Sequence, residues 1–245
     1  MSQKHYNMKK LICVIVFFIG FAIFLFAFFR LLLIIKEYKT GRNDYEALKE
    51  VSRYADFDEN DLSDEGLEHT GTVDFNKLME INKECIGWIE FENTDISYPI
   101  VQGQDNEFYL THHFNKKKNA AGSIFMDYIN ETDFSDPYTI LYGHNMKDGS
   151  MFAKLNQYES KDFYVENPVF WIYTPEKNYS YEIFSCYSLD TDTVSQLETN
   201  LDVIIEQSKY STGIFPEKDD KILTLMTCNS NGDTHRFFVH AVQVN

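Results

Sequence analysis

In "LTLMTCNSNGDTHRFFVHAV", residues 223–242, Cys228 closes one apolar run and Arg236 opens the next across a single short turn. A third polar residue, His144, closes an earlier apolar run, "TILYGH". A thiol attacks an amide only as its thiolate, so it needs a neighbour that lowers its pKa or takes its proton, and a histidine does both. The tetrahedral intermediate that follows carries an oxyanion, which a fixed cation stabilises. Cysteine, histidine and arginine are therefore the parts for acyl transfer through a thioester. Each also has a plainer reading: a buried core thiol, a turn histidine before Asn145, a surface arginine at a strand start. The choice between them depends on whether the chain builds a scaffold that brings the three together.

The scaffold is legible as eight short runs, rich in β-branched and aromatic residues and separated by turn residues: "CIGWIEF", "ISYPIVQ", "GSIFMDY", "YTILYGH", "VFWIYTP", "YSYEIFSCYSL", "KILTLMT" and "RFFVHAVQV". So many short strands in one domain predict a mainly β fold, a barrel or sandwich rather than an α/β sheet. Ahead of them "DFNKLMEIN" reads as a short helix with Phe75, Leu78 and Met79 on one side. Two helical segments interrupt the strands, "SMFAKLNQY" after His144 and "TVSQLETNLDVIIEQSKY" after the sixth run. Further upstream, residues 37–68 are polar, with Tyr45, Leu48, Val51 and Ala55 spaced as a helical stripe before the acidic "DFDENDLSDEGLE". A helical stalk is expected there.

The N-terminal segment differs in kind. "LICVIVFFIGFAIFLFAFF", residues 11–29, holds 19 residues without a charge, and "LLLII" resumes after Arg30. As a helix such a run rises about 28 Å, the thickness of a bilayer's hydrocarbon core. Bulky residues stand where a signal peptidase needs small ones, so an uncleaved anchor is expected. Lys4, Lys9 and Lys10 precede the span and Arg30, Lys36, Lys39 and Arg42 follow it, so the positive-inside count leaves its orientation open.

Composition removes several function classes. A formal charge of -16 excludes a nucleic-acid binder, which needs a basic surface. Outside the apolar run stand Cys85, Cys186 and Cys228, an odd number, and without a CxxC pair no structural zinc site is expected. Cys85 and Cys186 lie in apolar strand-like runs, where a buried free thiol is the commoner state. His112 and His113 are adjacent on an extended chain and so point oppositely, while His240 alternates with Phe238 and Val242 as a satisfied wall residue. The linker carboxylates reproduce no calcium loop. No metal and no cofactor are expected.

The segments "LYGHNMKDGSMFAKL" and "TLMTCNSNGDTHRFFVHA" together resemble the sortases, and specifically their class B. The family's TLxTC strand end, the arginine opening the next strand and the histidine after an earlier strand are matched by residues 224–228, Arg236 and His144. "YPIVQGQDNEFYL", "GSIFMD" and the helical insertion after the sixth run are similar to class B as well, and the resemblance covers residues 75–245. It implies a closed eight-stranded sortase β-barrel with helical additions, preceded by a helical stalk and one transmembrane helix. The layout it implies is a cytoplasmic tail over 1–10, a transmembrane signal-anchor helix over 11–35, a stalk and linker over 36–70 and a catalytic domain over 71–245.

The resemblance also implies a cysteine transpeptidase on the outer face of a Gram-positive cell membrane. Such enzymes cut the C-terminal sorting signal of a surface protein after its threonine, hold the protein as a thioester and pass it to an amine of a peptidoglycan precursor. By the same resemblance Cys228 is the nucleophile, His144 the general acid for the leaving amine and base for the incoming one, and Arg236 the oxyanion partner. Asn106 and Leu110 match positions lining the class B peptide groove. Thr191 matches a further contact, without the tyrosine that usually follows, and Met226 stands where serine is common, on the face that period-2 alternation gives Cys228. Asn229 replaces an acidic residue, and Asp233 reads as a solvated turn residue. Two alternatives stay open: a pilin-polymerising or hydrolytic sortase, and an inactive membrane-tethered barrel that binds peptides. The Asp-Pro-aromatic lid of pilin-type enzymes is missing ahead of the barrel, "SDPY" at 135–138 falling within it.

Overall fold

The computed structural model describes residues 2–53, 73–190, 199–228 and 235–244. Ala55, the acidic segment 56–68, Thr191, Asn229 and Asp233 lie outside the described residues. The chain divides into two compact units, Met1–Thr40 and Gly41–Asn245.

The first unit is helical, formed by the greater part of α1 (Ser2–Arg53). The stretch Val14–Ser52 of this helix contains a window of mean hydropathy 2.7, long and apolar enough to cross a membrane. Phe17, Phe18, Phe24, Phe26 and Phe29 are all more than half exposed, a continuous apolar surface that water disfavours and lipid accepts.

In the second unit α2 (Phe75–Ile81) precedes eight strands: β1 (Cys85–Glu90), β2 (Ser97–Val101), β3 (Ile124–Met126), β4 (Tyr138–Tyr142), β5 (Val169–Tyr173), β6 (Asn178–Asp190), β7 (Ile222–Cys228) and β8 (His235–Gln243). Each of the eight runs anticipated from the sequence forms one strand. They close into a barrel in the order β1-β2-β3-β4-β7-β8-β6-β5. Two neighbours, β2–β3 and β4–β7, are parallel. Parallel pairs need long crossovers, and the one from β4 to β7 carries a 3₁₀ helix (Ala153–Glu159), α3 (Lys161–Glu166), β5, β6 and α4 (Leu201–Glu206).

Alternation along β7 and β8 sorts the core. Leu223 faces Ala241 and Leu225 faces Val239 on the side enclosed by the barrel, all without exposure. On the other side Ile222, Phe238 and Val242 join Phe184, Tyr187 and Ile204, so α4 covers the outer wall. Six residues make no stable helix alone. α4 holds because Asn200 caps it, accepting from Asp202 N at 3.0 Å, and because Ile204 is fully buried, a contribution of about 1.5–3 kcal/mol.

His240 lies within this outer cluster with no exposure. The sequence suggests a satisfied wall residue, yet only Nδ1 is bonded, 2.9 Å from the Thr224 hydroxyl, while Nε2 has no partner among the described residues. Burial pushes its pKa down from 6.5 to about 3, so the folded state holds it neutral. An unfolded chain therefore binds the extra proton first, and stability falls as pH drops through the window from about 6.5 toward 3, by at most about 1.4 kcal/mol per pH unit. Denaturant titrations at pH 7 and 5 should show a smaller pH-dependent loss in His240→Asn than in the parent chain.

The last turns of α1 pack within the second unit. The stripe expected to run through Tyr45, Leu48 and Val51 is shifted by one residue: Tyr45, Leu48 and Ser52 are buried and Val51 is exposed. The 3.6-residue period from Tyr45 selects 48 and 52, and polarity at 52 does not overrule it. Gly41 continues the stripe upward, where an added Cβ would lie 3.1 Å from His113 Nε2. His112 and His113 do point apart, His112 stacking on Phe108 at 4.1 Å and His113 against Tyr45 at 4.7 Å.

Candidate active site

Three adjacent strands bring the three candidate residues to one end of the barrel. β7 and β8 pair so that Cys228 is the direct backbone partner of Arg236. On its other side Arg236 pairs with Leu189 of β6, so two strands fix its backbone. β4 lies parallel to β7 with Tyr142 beside Met226. The ladder continues past the end of β4 through Gly143 N to Met226 O, 3.1 Å. Two residues beyond Tyr142 is His144, and two beyond Met226 is Cys228, so the parallel register carries both to the same level.

Gly143 is what lets β4 end there. A Cβ on it would stand 2.5 Å from Ile124 Cδ1 and 2.6 Å from Phe152 Cδ2. Phe152 N in turn donates to His144 O at 3.0 Å, and the intervening chain turns back at Gly149, whose φ is +83°. Gly143→Ala is expected to cost about 1–3 kcal/mol of stability by overpacking. It should also displace the His144 ring from the Leu110 carbonyl. Thermal melts and the NMR signals of that ring on the same preparation check this.

His144 is half-buried, and its Nε2 lies 2.7 Å from the carbonyl oxygen of Leu110. A carbonyl can only accept, so Nε2 carries the hydrogen and Nδ1 is left as the nitrogen that takes or gives a proton. Leu110 ends a 3₁₀ turn, Phe108–Leu110, with its side chain 39% exposed. Four residues earlier, the Asn106 carboxamide oxygen accepts from Tyr128 N at 3.0 Å, which orients the amide group and leaves its NH2 as a donor. Met226 is half-buried and packs against the cluster under α4, between its strand partners Tyr142 and Phe238.

The structure thus groups Leu110 with His144, and Cys228 with Arg236 and Met226. Sequence reasoning took Leu110 as a residue lining the peptide groove; in the structure its backbone carbonyl meets the histidine. It also passed over Gly143 and Gly122; the glycine inside "YGH" and the one opening "GSIFMD" were the available signals.

The other thiols and imidazoles are placed elsewhere. Cys85 and Cys186 are free and buried, and burial pushes their thiols up to about 12 and about 11. Cys186 Sγ donates to Tyr158 O at 3.2 Å in the middle of β6. Among the described residues no three His, Cys, Asp or Glu side chains gather closely enough to hold a metal ion.

Comparison with known proteins identifies the family. The sortase domain family model matches residues 89–244. Sortase B of Listeria monocytogenes is 42% identical over 165 residues, covering 64% of this chain and 67% of that protein. The crystal structure of sortase B from Bacillus anthracis in complex with AAEK1 has a TM-score of 0.73 at 32% identity, covering 86% of this chain and all of that one. A Staphylococcus aureus sortase B–substrate complex has a TM-score of 0.64 at 31% identity, covering 70% of this chain and 84% of that one. The family match spans the strands that carry the thiol, imidazole and guanidinium, and each of these relatives is a sortase B. The chain therefore belongs to the sortase family of cysteine transpeptidases, on its class B branch.

Proposed function

We propose that this class B sortase works through Cys228 as nucleophile, His144 as general acid and base, and Arg236 as oxyanion partner. The observation that carries this is the register: Cys228 is paired with Arg236 across β7 and β8, and the parallel β4 brings His144 to the same level. The Cys228 thiolate attacks the carbonyl carbon of the threonine in a sorting signal. The oxyanion that forms is held by the Arg236 guanidinium. As the C–N bond breaks, His144 gives its Nδ1 proton to the leaving amine, and a thioester remains. An incoming amine of a peptidoglycan precursor attacks the thioester, losing a proton to Nδ1, and the thiolate departs with a new amide formed.

In this reading Asn106, Leu110, Thr191 and Met226 are the residues that contact the peptide. Asn106 contributes its amide NH2, Leu110 and Met226 apolar contact, and Thr191 a hydroxyl. Met226→Ser restores a hydroxyl beside the nucleophile and is expected to change the preference among sorting motifs by about tenfold; competition between two peptides, read by mass spectrometry, measures it. The apolar part of α1 anchors the enzyme with its catalytic domain outside the cell, the arrangement in which a Gram-positive surface protein meets its acceptor.

Full-length enzyme in detergent, mixed with NPxTx and xPxTG peptides and a wall-like amine, tests the proposal beside Cys228→Ala. Cleavage after threonine with amine transfer, absent in the variant, is expected. Hydrolysis without transfer would favour the hydrolytic alternative, and transfer only to a pilin lysine the polymerising one. No cleavage of any peptide, with Cys228 inert to electrophiles, would make the barrel a binding module.

A further inference from the structure

We propose that Tyr45, on the last turns of α1, is a positioning residue for His144, acting through the backbone of Gly122 and Leu110. The inference rests on the acid–base role proposed above for His144. It deepens that role by tying it to the helix that leads out of the apolar span.

Tyr45 is 3% exposed and its hydroxyl donates to Gly122 O at 2.8 Å, with Ser123 Oγ 3.4 Å away. Burial raises the hydroxyl well above the usual phenol range, so it remains a donor at any working pH. The ring is held independently, edge-on to Tyr98 at 5.3 Å and against His113 at 4.7 Å. Removing the oxygen therefore deletes a hydrogen bond and leaves the packing in place.

Gly122 is pressed against the turn that serves His144. Its φ is +57°, and a Cβ on it would lie 2.5 Å from Tyr109 O and 2.8 Å from Leu110 O. The next residue completes the brace: Ser123 N donates to Tyr109 O at 2.9 Å and Ser123 Oγ to His112 O at 2.9 Å. Residues 108–112 are thus seated on the Gly122–Ser123 backbone, which Tyr45 holds from behind. The Leu110 carbonyl on this seat is the group that fixes the His144 tautomer, 2.7 Å from Nε2. A shift of that carbonyl by a few tenths of an ångström weakens the bond that holds the Nε2 hydrogen and frees the ring to turn.

The test uses the full chain in detergent micelles with Tyr45→Phe and Gly122→Ala beside the parent and His144→Ala. The His144 ring is followed by its ring-nitrogen NMR signals, which report the tautomer and are assigned by their loss in His144→Ala, and amine transfer gives kcat and KM. In Tyr45→Phe the pattern of a single tautomer protonated at Nε2 should be lost, with kcat reduced about three- to tenfold and KM unchanged. Gly122→Ala should show the same changes more strongly, since it meets both positive φ and a backbone clash.

An unchanged tautomer pattern and kcat in a folded Tyr45→Phe would overturn the inference, whatever Gly122→Ala does. A fall in kcat matched by a rise in KM and no change in the tautomer pattern would overturn it as well, marking a structural role only. Retained activity in His144→Ala would instead defeat the acid–base role. That outcome is distinct, because the NMR signals read the positioning without reference to turnover.

Discussion

Cys228→Ala is expected to abolish thioester formation and lower amine transfer about a millionfold, the scale on which removing a covalent nucleophile acts. The expectation is this large because neither Cys85 nor Cys186 can take over, and Cys13 belongs to the apolar N-terminal run. Cys85 begins β1 and Cys186 sits in the middle of β6, both free and buried. With thiols pushed up to about 12 and about 11, they hold roughly one part in 10⁴ and one part in 10³ as thiolate at pH 8. Among the described residues neither is hydrogen-bonded to a histidine: the partners are Gly87 O for Cys85, and Tyr158 O and the Tyr210 hydroxyl for Cys186. A thiol-reactive sulfonate should accordingly label the parent chain once and the Cys228→Ala chain not at all on the same time scale. Mass spectrometry of labelled protein and of an acyl-enzyme trapped without amine reads both expectations. Residual transfer above the uncatalysed rate in the variant would mean that the acyl group is carried elsewhere.

The eight strands were legible because each run has its own β-branched and aromatic alternation and its own flanking turn residues. The chemistry was legible as residue types at the ends of such runs. What joins the three, the parallel pairing of β4 with β7, leaves no local mark, since the partners are some eighty residues apart and the crossover between them holds two further strands. The class B resemblance supplied that neighbourhood in advance of the register. Where the sequence misled, it did so by polarity. Val51 looked like part of the buried stripe because it is apolar, but the helical period set by Tyr45 and Leu48 buries Ser52 instead. Gly122 and Gly143 were silent for another reason: the space a missing Cβ vacates is defined by Leu110, Ile124 and Phe152, which only the folded chain brings near. The same holds for the Leu110 carbonyl, because every residue has one and only geometry chooses which of them meets an imidazole.

Arg236→Lys is expected to lower kcat about 10²- to 10³-fold with little change in KM, although the charge is kept. The backbone at 236 is held by β7 on one side and β6 on the other, with Cys228 and Leu189 as direct partners, so the variant should fold with an unaltered strand. What changes is the head group. A guanidinium offers donors in a rigid plane, two of which can meet an oxyanion and a neighbouring carbonyl together, whereas an ammonium is a single, strongly hydrated point charge on a flexible stem. Arg236 is half-buried, so the shorter and more hydrated lysine head is drawn toward water rather than toward the place where negative charge develops. The penalty therefore falls on the transition state and spares the ground-state complex, which is the signature of lost oxyanion stabilisation. Single-turnover acylation with a sorting-signal peptide, alongside alkylation of Cys228 as a function of pH, separates the possible causes. Slow acylation with an unchanged alkylation profile is expected. A matching shift of the alkylation profile would instead make Arg236 a stabiliser of the thiolate, and acylation within about threefold of the parent would move the oxyanion contact to backbone amides.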